Sequence, residues 1–323
     1  MEYNKKNARR WSIIGERPTF GSALHELAKE NDKIIAIVAD VTNSAGLGAM
    51  QKEMPDRVIN VGIAEQNMMG VATGLASEGY AVFTTSFAPF QSMRCLEQIR
   101  VNQGYMGQKV VMVGLAGGVA YGELGFTHCT IEDVSIIRSI PNIAVVTPAD
   151  CMEVTKAVEA ALDFKNSVYI RLMDKPGVPM VYLDDYEFQI GKAVPIIEGG
   201  ELAILANGPT VYPSIQAAKK YTEETGYTVS VYDFHTIKPV DEELLQKLSQ
   251  TKAIITVEEH SLIGGLGSAV AEFYSDKHNR PLVYKMGFPD AYPHGASHET
   301  LLKDYGLDEE GIYKKISAIA NGL

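Results

Sequence analysis

The sequence predicts an α/β protein in which a parallel β-sheet, with helices on both faces, is followed by a smaller α/β domain. Short apolar runs rich in β-branched residues alternate with helical patterns along the chain, and this alternation is typical of parallel sheets. Glycine turns and polar side chains follow several of the runs. Because ligand sites lie at the carboxyl ends of parallel strands, we expect the functional residues in those turns.

The first domain is predicted to span residues 12–180. Its strands are aliphatic runs too short for helices, at 34–39, 81–85, 110–113, 143–146 and 168–171. Its helices carry apolar residues at helical spacing, at 64–77, 92–102 and 150–162. Residues 4–10 are polar and basic, and we interpret them as a solvated terminal arm.

Residues 175–191 break this rhythm and are predicted to be a linker. The segment contains Pro176, Gly177 and Pro179, which favour turns. A second domain is predicted over residues 190–323, with strands at 202–206, 228–232, 253–257 and 281–284 and helices at 211–224, 241–249 and 266–275. The glycine-rich stretch 263–268 has the spacing of neither a dinucleotide fingerprint nor a P-loop, so we interpret it as a turn that enters a helix.

The composition is that of an ordinary globular protein. Of the 323 residues, 46% are hydrophobic and 21% are charged, and the formal net charge is −11. No stripe of lysines and arginines indicates nucleic-acid binding, and no apolar run approaches the roughly 20 residues of a membrane span. The three cysteines, Cys95, Cys129 and Cys151, have no metal-ligand spacing and fit a reducing compartment. We therefore expect a cytoplasmic protein.

Glu65 is the residue that most strongly suggests a function. It follows a strand and a glycine turn at Gly62, and it opens an apolar helix with Met68 on the buried face. Position alone favours a surface glutamate stabilised by the helix dipole. A carboxylate at the edge of a core can also share a proton with a ligand. The residues that follow favour this second interpretation.

Two phenylalanines stand just past the next strand. Phe87 and Phe90 are three residues apart after the strand 81–85, and aromatic rings in that position can stack on a flat heterocycle. Taken alone, their spacing is more typical of core packing. Together with Glu65 they predict a pocket for a planar ring that has one nitrogen facing the carboxylate.

The following strand leads into a glycine-rich loop at residues 117–128, which ends in His128. Loops after strands carry many functional residues, and histidine changes its charge near neutral pH. A lone histidine is more often structural. The place of this one after a strand favours a loop that faces the substrate.

Several motifs of the chain, at 61–74, 86–100, 127–133, 237–241 and 257–260, resemble those of transketolase. The resemblance covers nearly the whole chain and corresponds to the C-terminal half of that enzyme, which consists of the pyrimidine-binding domain and a small C-terminal domain. Such halves are separate chains in split transketolases. The related 1-deoxyxylulose-5-phosphate synthase shares the Gly-Ile-Ala-Glu-Gln run around Glu65, but normally within one longer chain.

The resemblance implies thiamine diphosphate as cofactor and transfer of a two-carbon glycolyl unit from a ketose to an aldose. It implies that Glu65 hydrogen-bonds the aminopyrimidine ring across a subunit interface and that Phe87 and Phe90 stack on this ring. Further cofactor contacts are implied for Ile63 and for Met93, which replaces a third aromatic residue of many relatives.

Substrate contacts are implied for His128, Arg17, Ser44 and Arg171. His128 aligns with a histidine that contacts substrate hydroxyls near the reacting carbon, and we expect it to take part in catalysis. The two arginines and the serine match members of a sugar-phosphate site, for which guanidinium and hydroxyl groups are suitable ligands.

Other positions of that phosphate site depart from the family. Ala116 stands where relatives often have a histidine, Leu124 where they have an aspartate, and Asp174 and Lys175 where a second basic residue is expected. Loss of these partners weakens recognition of ordinary sugar phosphates, since an unmet polar group costs about 1–3 kcal/mol. We therefore hypothesise a substrate other than the usual pentose phosphates, such as a modified, sulfonated or branched sugar.

The resemblance also implies that another polypeptide supplies half of the active site. The family's diphosphate domain contains a Gly-Asp-Gly segment that holds the metal and the cofactor diphosphate, and this sequence has none. We expect a partner chain of similar size that carries this motif and holds Mg²⁺ or Ca²⁺, with two copies of each chain in a heterotetramer. No metal ligand is predicted in the present chain.

Three alternatives remain open. The β subunit of a 2-oxoacid dehydrogenase has the same layout but usually lacks the Gly-Ile-Ala-Glu-Gln-Asn run, and a 1-deoxyxylulose-5-phosphate synthase-like enzyme shares the shorter signature. A non-catalytic scaffold subunit with the same fold is a candidate of another class. The presence of Glu65, Phe87, Phe90 and His128 argues against the scaffold.

Overall fold

The first half of the chain builds a sheet whose strands are joined by helices. The structure, a computed structural model, describes residues 1–173 and 176–322. The helices of this half are α1 (Lys5–Ile14), α2 (Glu16–Glu30), α3 (Gly48–Glu53), α4 (Glu65–Ser77), α5 (Leu96–Gln98), α6 (Asp133–Arg138) and α7 (Cys151–Asp163). Its strands are β1 (Ile34–Val38), β2 (Val58–Asn60), β3 (Ala81–Phe87), β4 (Val110–Leu115), β5 (Ile143–Val146) and β6 (Ser167–Arg171). Short 3₁₀ turns form at Pro55–Arg57 and Gly122–Leu124, and π-helical turns at Phe90–Arg94 and Ile99–Tyr105 flank α5.

The second half repeats the alternation of strands and helices. Its strands are β7 (Val194–Ile197), β8 (Leu202–Ala206), β9 (Val229–Asp233), β10 (Thr236–Lys238), β11 (Ala253–Ser261) and β12 (Leu282–Phe288). Its helices are α8 (Val211–Thr225), α9 (Glu242–Lys247), α10 (Leu266–Tyr274), α11 (His298–Asp304) and α12 (Glu309–Ala320), with 3₁₀ turns at Gly208–Thr210 and Leu248–Gln250.

Both sheets are mostly parallel, so the predicted fold class is confirmed. The first has the strand order β10-β5-β6-β4-β3-β1-β2, and the second has the order β12-β11-β8-β9-β7. β1, β4, β5 and β6 are buried along their whole length, because helices cover both faces of the sheet. This explains why these strands read as continuous apolar runs.

One edge strand of the first sheet comes from the second half of the chain. β10 pairs antiparallel with β5, with Thr236 opposite Val146 and Lys238 opposite Val145. The local sequence pattern did not indicate this strand. The two halves of the chain therefore share a sheet, and the contacts between them are extensive enough to influence the site.

The prediction of a solvated terminal arm was wrong. Residues 5–14 form α1, which begins where Asn4 Oδ1 accepts a hydrogen bond from Asn7 N at 3.0 Å. Ala8 and Trp11 are buried in a small apolar cluster with Cys151 of α7. The basic residues occupy the other face of the helix, so a segment that is polar on average still packs on the protein.

The glycine-rich stretch 263–268 is a turn that enters a helix, as expected. It leads into α10, whose first amide groups are already satisfied: Leu266 N and Gly267 N donate to the Glu258 carboxylate at 2.7 and 2.8 Å. A carboxylate at a helix N-terminus occupies the position in which phosphate-binding loops hold an anion.

No helix within residues 1–173 and 176–322 combines the length and the apolar character needed to cross a lipid bilayer.

Candidate active site

The predicted site residues gather at the carboxyl edge of the first sheet. Glu65 follows β2, Phe87 ends β3, and His128 closes the loop after β4. In the sheet, β3 lies between β1 and β4. Parallel strands end at the same edge, so the segments that follow them meet there.

Glu65 is the first residue of α4 and is buried, with 4% of its surface exposed. The turn before it is shaped by Asn60, whose Oδ1 accepts from Gly62 N at 2.9 Å and from Asp40 N at 3.1 Å. Arg94 Nη1 donates to Glu65 Oε1 at 2.8 Å. The side chain that the sequence placed at the edge of a core is thus held there by a defined turn and an ion pair.

Phe87, Phe90 and His128 form an aromatic cluster beside Glu65. The centroids of the two phenylalanine rings are 6.2 Å apart, and the imidazole centroid of His128 is 6.0 Å from that of Phe90. Thr127 Oγ1 lies 2.9 Å from His128 Nδ1, which orients the imidazole. The structure therefore brings together three residues that the sequence had singled out separately.

Tyr121 belongs to the same cluster, although the sequence analysis missed it. Its ring centroid is 5.6 Å from that of Phe87 and 6.4 Å from that of His128. Its position in the glycine-rich loop was the available signal, because that loop was already predicted to face the substrate.

Arg94 is the second residue that the sequence analysis missed. Its guanidinium carbon is 4.1 Å from the centroid of the Phe90 ring while Nη1 is bonded to Glu65. A planar cation therefore lies between a buried carboxylate and an aromatic face. An aminopyrimidine ring is likewise planar and offers nitrogens to a carboxylate, so these residues fit that ring once Arg94 withdraws. Arg94 is 45% exposed, which leaves it room to move.

The other two predicted cofactor contacts are accessible. Ile63, in the turn before Glu65, is 77% exposed, and Met93 is 37% exposed. Apolar side chains of this size are normally buried. Their exposure beside Glu65 and Phe90 is consistent with contacts to a ligand or a second chain.

Arg17 and Ser44 lie on two segments that pack against each other. Gly46, two residues after Ser44, approaches α2 so closely that an added Cβ would lie 2.7 Å from Arg17 O. Both side chains are partly exposed. The structure thus brings these two predicted substrate ligands together.

The predicted role of Arg171 as a substrate ligand is not supported and is corrected. The side chain is 4% exposed, Nε donates to Asp133 Oδ2 at 2.9 Å, and Nη2 donates to the main-chain oxygens of Thr130 and Glu259, each at 3.1 Å. The guanidinium is therefore committed to interior groups below the glycine-rich loop. Asp174 and Lys175 lie outside the described residues.

The two departures from the family pattern occupy different environments. Ala116 is fully buried and has a positive φ of 53°, a strained conformation for alanine that turns the chain sharply out of β4. Leu124 is 57% exposed in the loop. Neither side chain offers a polar group to a substrate. Across the described ranges, 1–173 and 176–322, no cluster of three or more potential metal ligands is present.

Comparison with known proteins identifies related domains in both halves. The profile "Transketolase, pyrimidine binding domain" matches residues 15–175, and "Transketolase, C-terminal domain" matches residues 191–312. One of the two kinds of chain of the apulose-4-phosphate transketolase of Phocaeicola vulgatus is 41% identical over 94% of this chain and 96% of its own length. A chain of the 6-deoxy-6-sulfo-D-fructose transketolase of Clostridium sp. is 38% identical over 92% of each chain. The 1-deoxy-D-xylulose-5-phosphate synthase of Syntrophus aciditrophicus is 35% identical, but the match covers 46% of it.

Solved structures show the same arrangement. A protein described as "Split gene transketolase, inactive beta4 tetramer" is 38% identical, with a TM-score of 0.84 over 94% of this chain and 97% of that one. Transketolase from Campylobacter jejuni has a TM-score of 0.78 over 94% of this chain and 46% of its own, at 20% identity, and shows the shared fold.

Proposed function

The chain belongs to the transketolase family, and from this premise we propose that it is the C-terminal subunit of a split transketolase. In this role it takes part in moving a two-carbon glycolyl unit from a ketose to an aldose. The observation that carries the proposal is the placement of Glu65, buried at a helix N-terminus, opposite a planar cation stacked on Phe90. The full-length match to transketolase subunits supports it.

The cofactor of the proposed reaction is thiamine diphosphate, which when bound supplies the carbon nucleophile and the electron sink. Glu65 provides a hydrogen-bonding carboxylate for the aminopyrimidine ring, and Phe87 and Phe90 provide its apolar walls. Ile63 and Met93 extend this surface. Because the carboxylate is shielded from water, its hydrogen bond to the ring is stronger than it would be in solvent.

His128 is the proposed catalytic group for the substrate. Its imidazole stands beside the ring site and is oriented by Thr127, where it can bind hydroxyls and move a proton near the reacting carbon. Arg17 and Ser44 are the proposed ligands for an anionic group at the far end of the sugar. Arg171 is excluded from this set by its burial.

A partner chain completes the proposed site. It carries the Gly-Asp-Gly motif absent here and binds the cofactor diphosphate and Mg²⁺ or Ca²⁺, with two copies of each chain in the active heterotetramer. The 38% identical structure is described as an inactive tetramer of β chains, which supports the requirement for a second kind of subunit. We also assign the enzyme to the cytoplasm.

The proposed substrate is a modified sugar rather than an ordinary pentose phosphate. The relatives of high coverage are named for apulose 4-phosphate and for 6-deoxy-6-sulfo-D-fructose. The apolar side chains of Ala116 and Leu124 support the same conclusion. A donor panel containing these two sugars and xylulose 5-phosphate tests it, and efficient turnover of xylulose 5-phosphate with ribose 5-phosphate would contradict it.

A second candidate function is a 1-deoxyxylulose-5-phosphate synthase-like reaction, which the partial matches favour. The two activities differ in their products: the synthase releases carbon dioxide from a 2-oxoacid, whereas glycolyl transfer does not. The same criterion separates the proposal from a 2-oxoacid dehydrogenase β subunit. A carbon dioxide assay on the assembled enzyme distinguishes them.

The decisive experiment is co-expression with a partner that carries Gly-Asp-Gly, followed by replacement of Glu65 with alanine. We expect the variant to assemble normally and to lose glycolyl transfer. Glu26→Ala, which removes an exposed carboxylate paired with Lys29 on α2, is the matched control and keeps wild-type activity. Undiminished turnover by Glu65→Ala would favour a scaffold subunit instead.

A further inference from the structure

The glycine-rich loop of the active site is held by a residue from the far end of the chain. Val119 N donates a hydrogen bond to Glu259 Oε1 at 2.7 Å, across 140 residues of sequence. Val119 is fully buried and Glu259, in β11, is 1% exposed. A hydrogen bond to a buried charged group is stronger than an ordinary one, so this contact fixes the base of the loop.

The Glu259 carboxylate is itself oriented by a second residue. His298, the first residue of α11, places Nε2 at 2.9 Å from Glu259 Oε2. A carboxylate only accepts hydrogen bonds, so this nitrogen carries the hydrogen and donates it. The main-chain oxygen of Glu259 accepts in turn from Arg171 Nη2 at 3.1 Å. Side chain and backbone of Glu259 are therefore both restrained.

The loop has no room to move toward this carboxylate. Gly118 has a φ of 66°, and a Cβ added there would lie 2.1 Å from Glu259 Oε1. Only glycine allows both this backbone conformation and this approach. Gly118 O also accepts from Thr130 N at 2.9 Å, which closes the loop just beyond His128.

Further contacts from the same half of the chain reach the outer part of the loop. Ala296 N donates to Gly122 O at 3.3 Å. The ring centroids of Phe126 and Tyr292 are 4.6 Å apart. The segment that carries Tyr121 and His128 to the ring site is thus supported along its length by the second half of the protein.

The neighbouring Glu258 has a different task. Successive strand residues point to opposite faces, and whereas Glu259 reaches the loop, Glu258 caps α10 within its own half through Leu266 N and Gly267 N. Both carboxylates are 1% exposed and each accepts two hydrogen bonds. They form a matched pair that differs only in whether it touches the active-site loop.

We propose that Glu259, oriented by His298, is a positioning residue of the reaction, through which the second half of the chain sets the arrangement of Tyr121 and His128 beside the ring site. This inference rests on the proposed function for its catalytic consequence. The mechanical part, that Glu259 orders the loop, concerns the isolated chain and is independent of catalysis.

The first test measures amide hydrogen exchange over residues 116–130 in the isolated full-length chain. Glu259→Ala removes the acceptor of Val119 N, and we expect exchange in this segment to rise at least tenfold. Glu259→Gln retains an amide oxygen for Val119 N and is expected to restore most of the protection. Glu258→Gln serves as the control, with a lowered unfolding midpoint and loop protection like that of the wild type.

The second test measures kinetics with the partner chain and saturating cofactor. Glu259→Ala is expected to lower kcat at least tenfold and to raise the KM for the donor sugar, with a smaller change in the cofactor concentration at half activation. His298→Gln is expected to give an intermediate loss. Glu258→Gln is expected to retain the wild-type kcat.

Two results would overturn the proposal. One is unchanged loop exchange and unchanged kcat in folded Glu259→Ala. The other is an equal loss in Glu258→Gln, which would reduce both effects to general destabilisation. If Glu259→Ala does not fold, Glu259→Gln and His298→Gln decide by the same measurements. If the wild-type assembly transfers no glycolyl unit while Glu259→Ala still loosens the loop, the proposed function fails and the positioning contact stands.

Discussion

Arg94 Nη1 and Glu65 Oε1 are 2.8 Å apart, so the carboxylate assigned to the cofactor is paired with a cation of its own chain. The guanidinium also covers Phe90, the ring assigned to cofactor stacking. One side chain therefore occupies both interactions that the proposed cofactor ring needs. Arg94 must leave when that ring binds, and the strength of its pairing opposes cofactor binding.

Arg94→Gln is therefore expected to ease cofactor binding by the assembled enzyme. A partly exposed ion pair is worth about 1 kcal/mol, so the thiamine diphosphate concentration at half activation should fall about fivefold. Arg100→Gln is the control, because Arg100 pairs with Glu97 at the exposed surface. A raised half-activation concentration in Arg94→Gln would show that Arg94 assists the cofactor instead.

Replacement of Phe90 by alanine should weaken cofactor binding. An aromatic contact contributes about 0.5–1.5 kcal/mol beyond its buried area, so half activation should require roughly threefold to tenfold more thiamine diphosphate. Phe90→Tyr keeps the aromatic face and should remain close to the wild type. Equal effects of the two substitutions would argue against stacking as the role of this ring.

His128→Asn is expected to impair the reaction of the substrate rather than the binding of the cofactor. Loss of a proton-transferring group lowers kcat about 100-fold, while half activation by cofactor stays near the wild-type value. Thr127→Val removes only the contact with Nδ1 and should give a smaller loss. A His128 variant with full kcat would remove this residue from the catalytic group.

Arg171→Met tests whether this arginine is structural. Asp133 is fully buried and would lose its cation, at a cost of about 3–5 kcal/mol. A large drop in the thermal unfolding midpoint is expected. Arg17→Met should instead raise the KM for an anionic donor sugar with little change in stability. A stable Arg171→Met protein with only a raised KM would restore the original substrate-binding prediction.

Stability should fall as pH rises through neutrality because of a buried pair of carboxyl groups. Burial raises the pKa of Asp233 from 3.8 to about 7, and burial followed by the charge of Asp233 raises the pKa of Glu153 well above its usual range. Tyr182 and Tyr186 donate their hydroxyl hydrogens to this pair at 2.8 Å each, and Asp150 adds negative charge.

The sign follows from these raised pKa values. Between 3.8 and about 7 the folded chain holds a proton on Asp233 that the unfolded chain has released, so the free energy of unfolding falls with rising pH. The slope is about 1.4 kcal/mol per pH unit for one extra proton. Thermal midpoints of wild type and Asp233→Asn between about pH 5 and pH 8 check this. The variant keeps an acceptor for Tyr182 and should show a flatter profile, and parallel profiles would contradict the assignment.

Much of the fold was readable from local sequence because strand and helix periods are local properties. The parallel class, the buried strands and the turn before α10 were predicted in this way. The amphipathic α1 was missed because its many basic residues lowered its average hydropathy, although Ala8 and Trp11 are buried. β10 was missed because a three-residue strand at an edge leaves almost no periodic pattern.

By itself, the sequence determined the candidate residues that follow strand ends, namely Glu65, Phe87, Phe90 and His128, since topology brings all parallel strand ends to one edge. Only the tertiary structure decided which side chains are partners. The pairing of Arg94 with Glu65, the burial of Arg171 under the glycine-rich loop and the support of that loop by Glu259 join residues between 29 and 140 positions apart. Such contacts depend on how distant segments pack, and no local pattern encodes them.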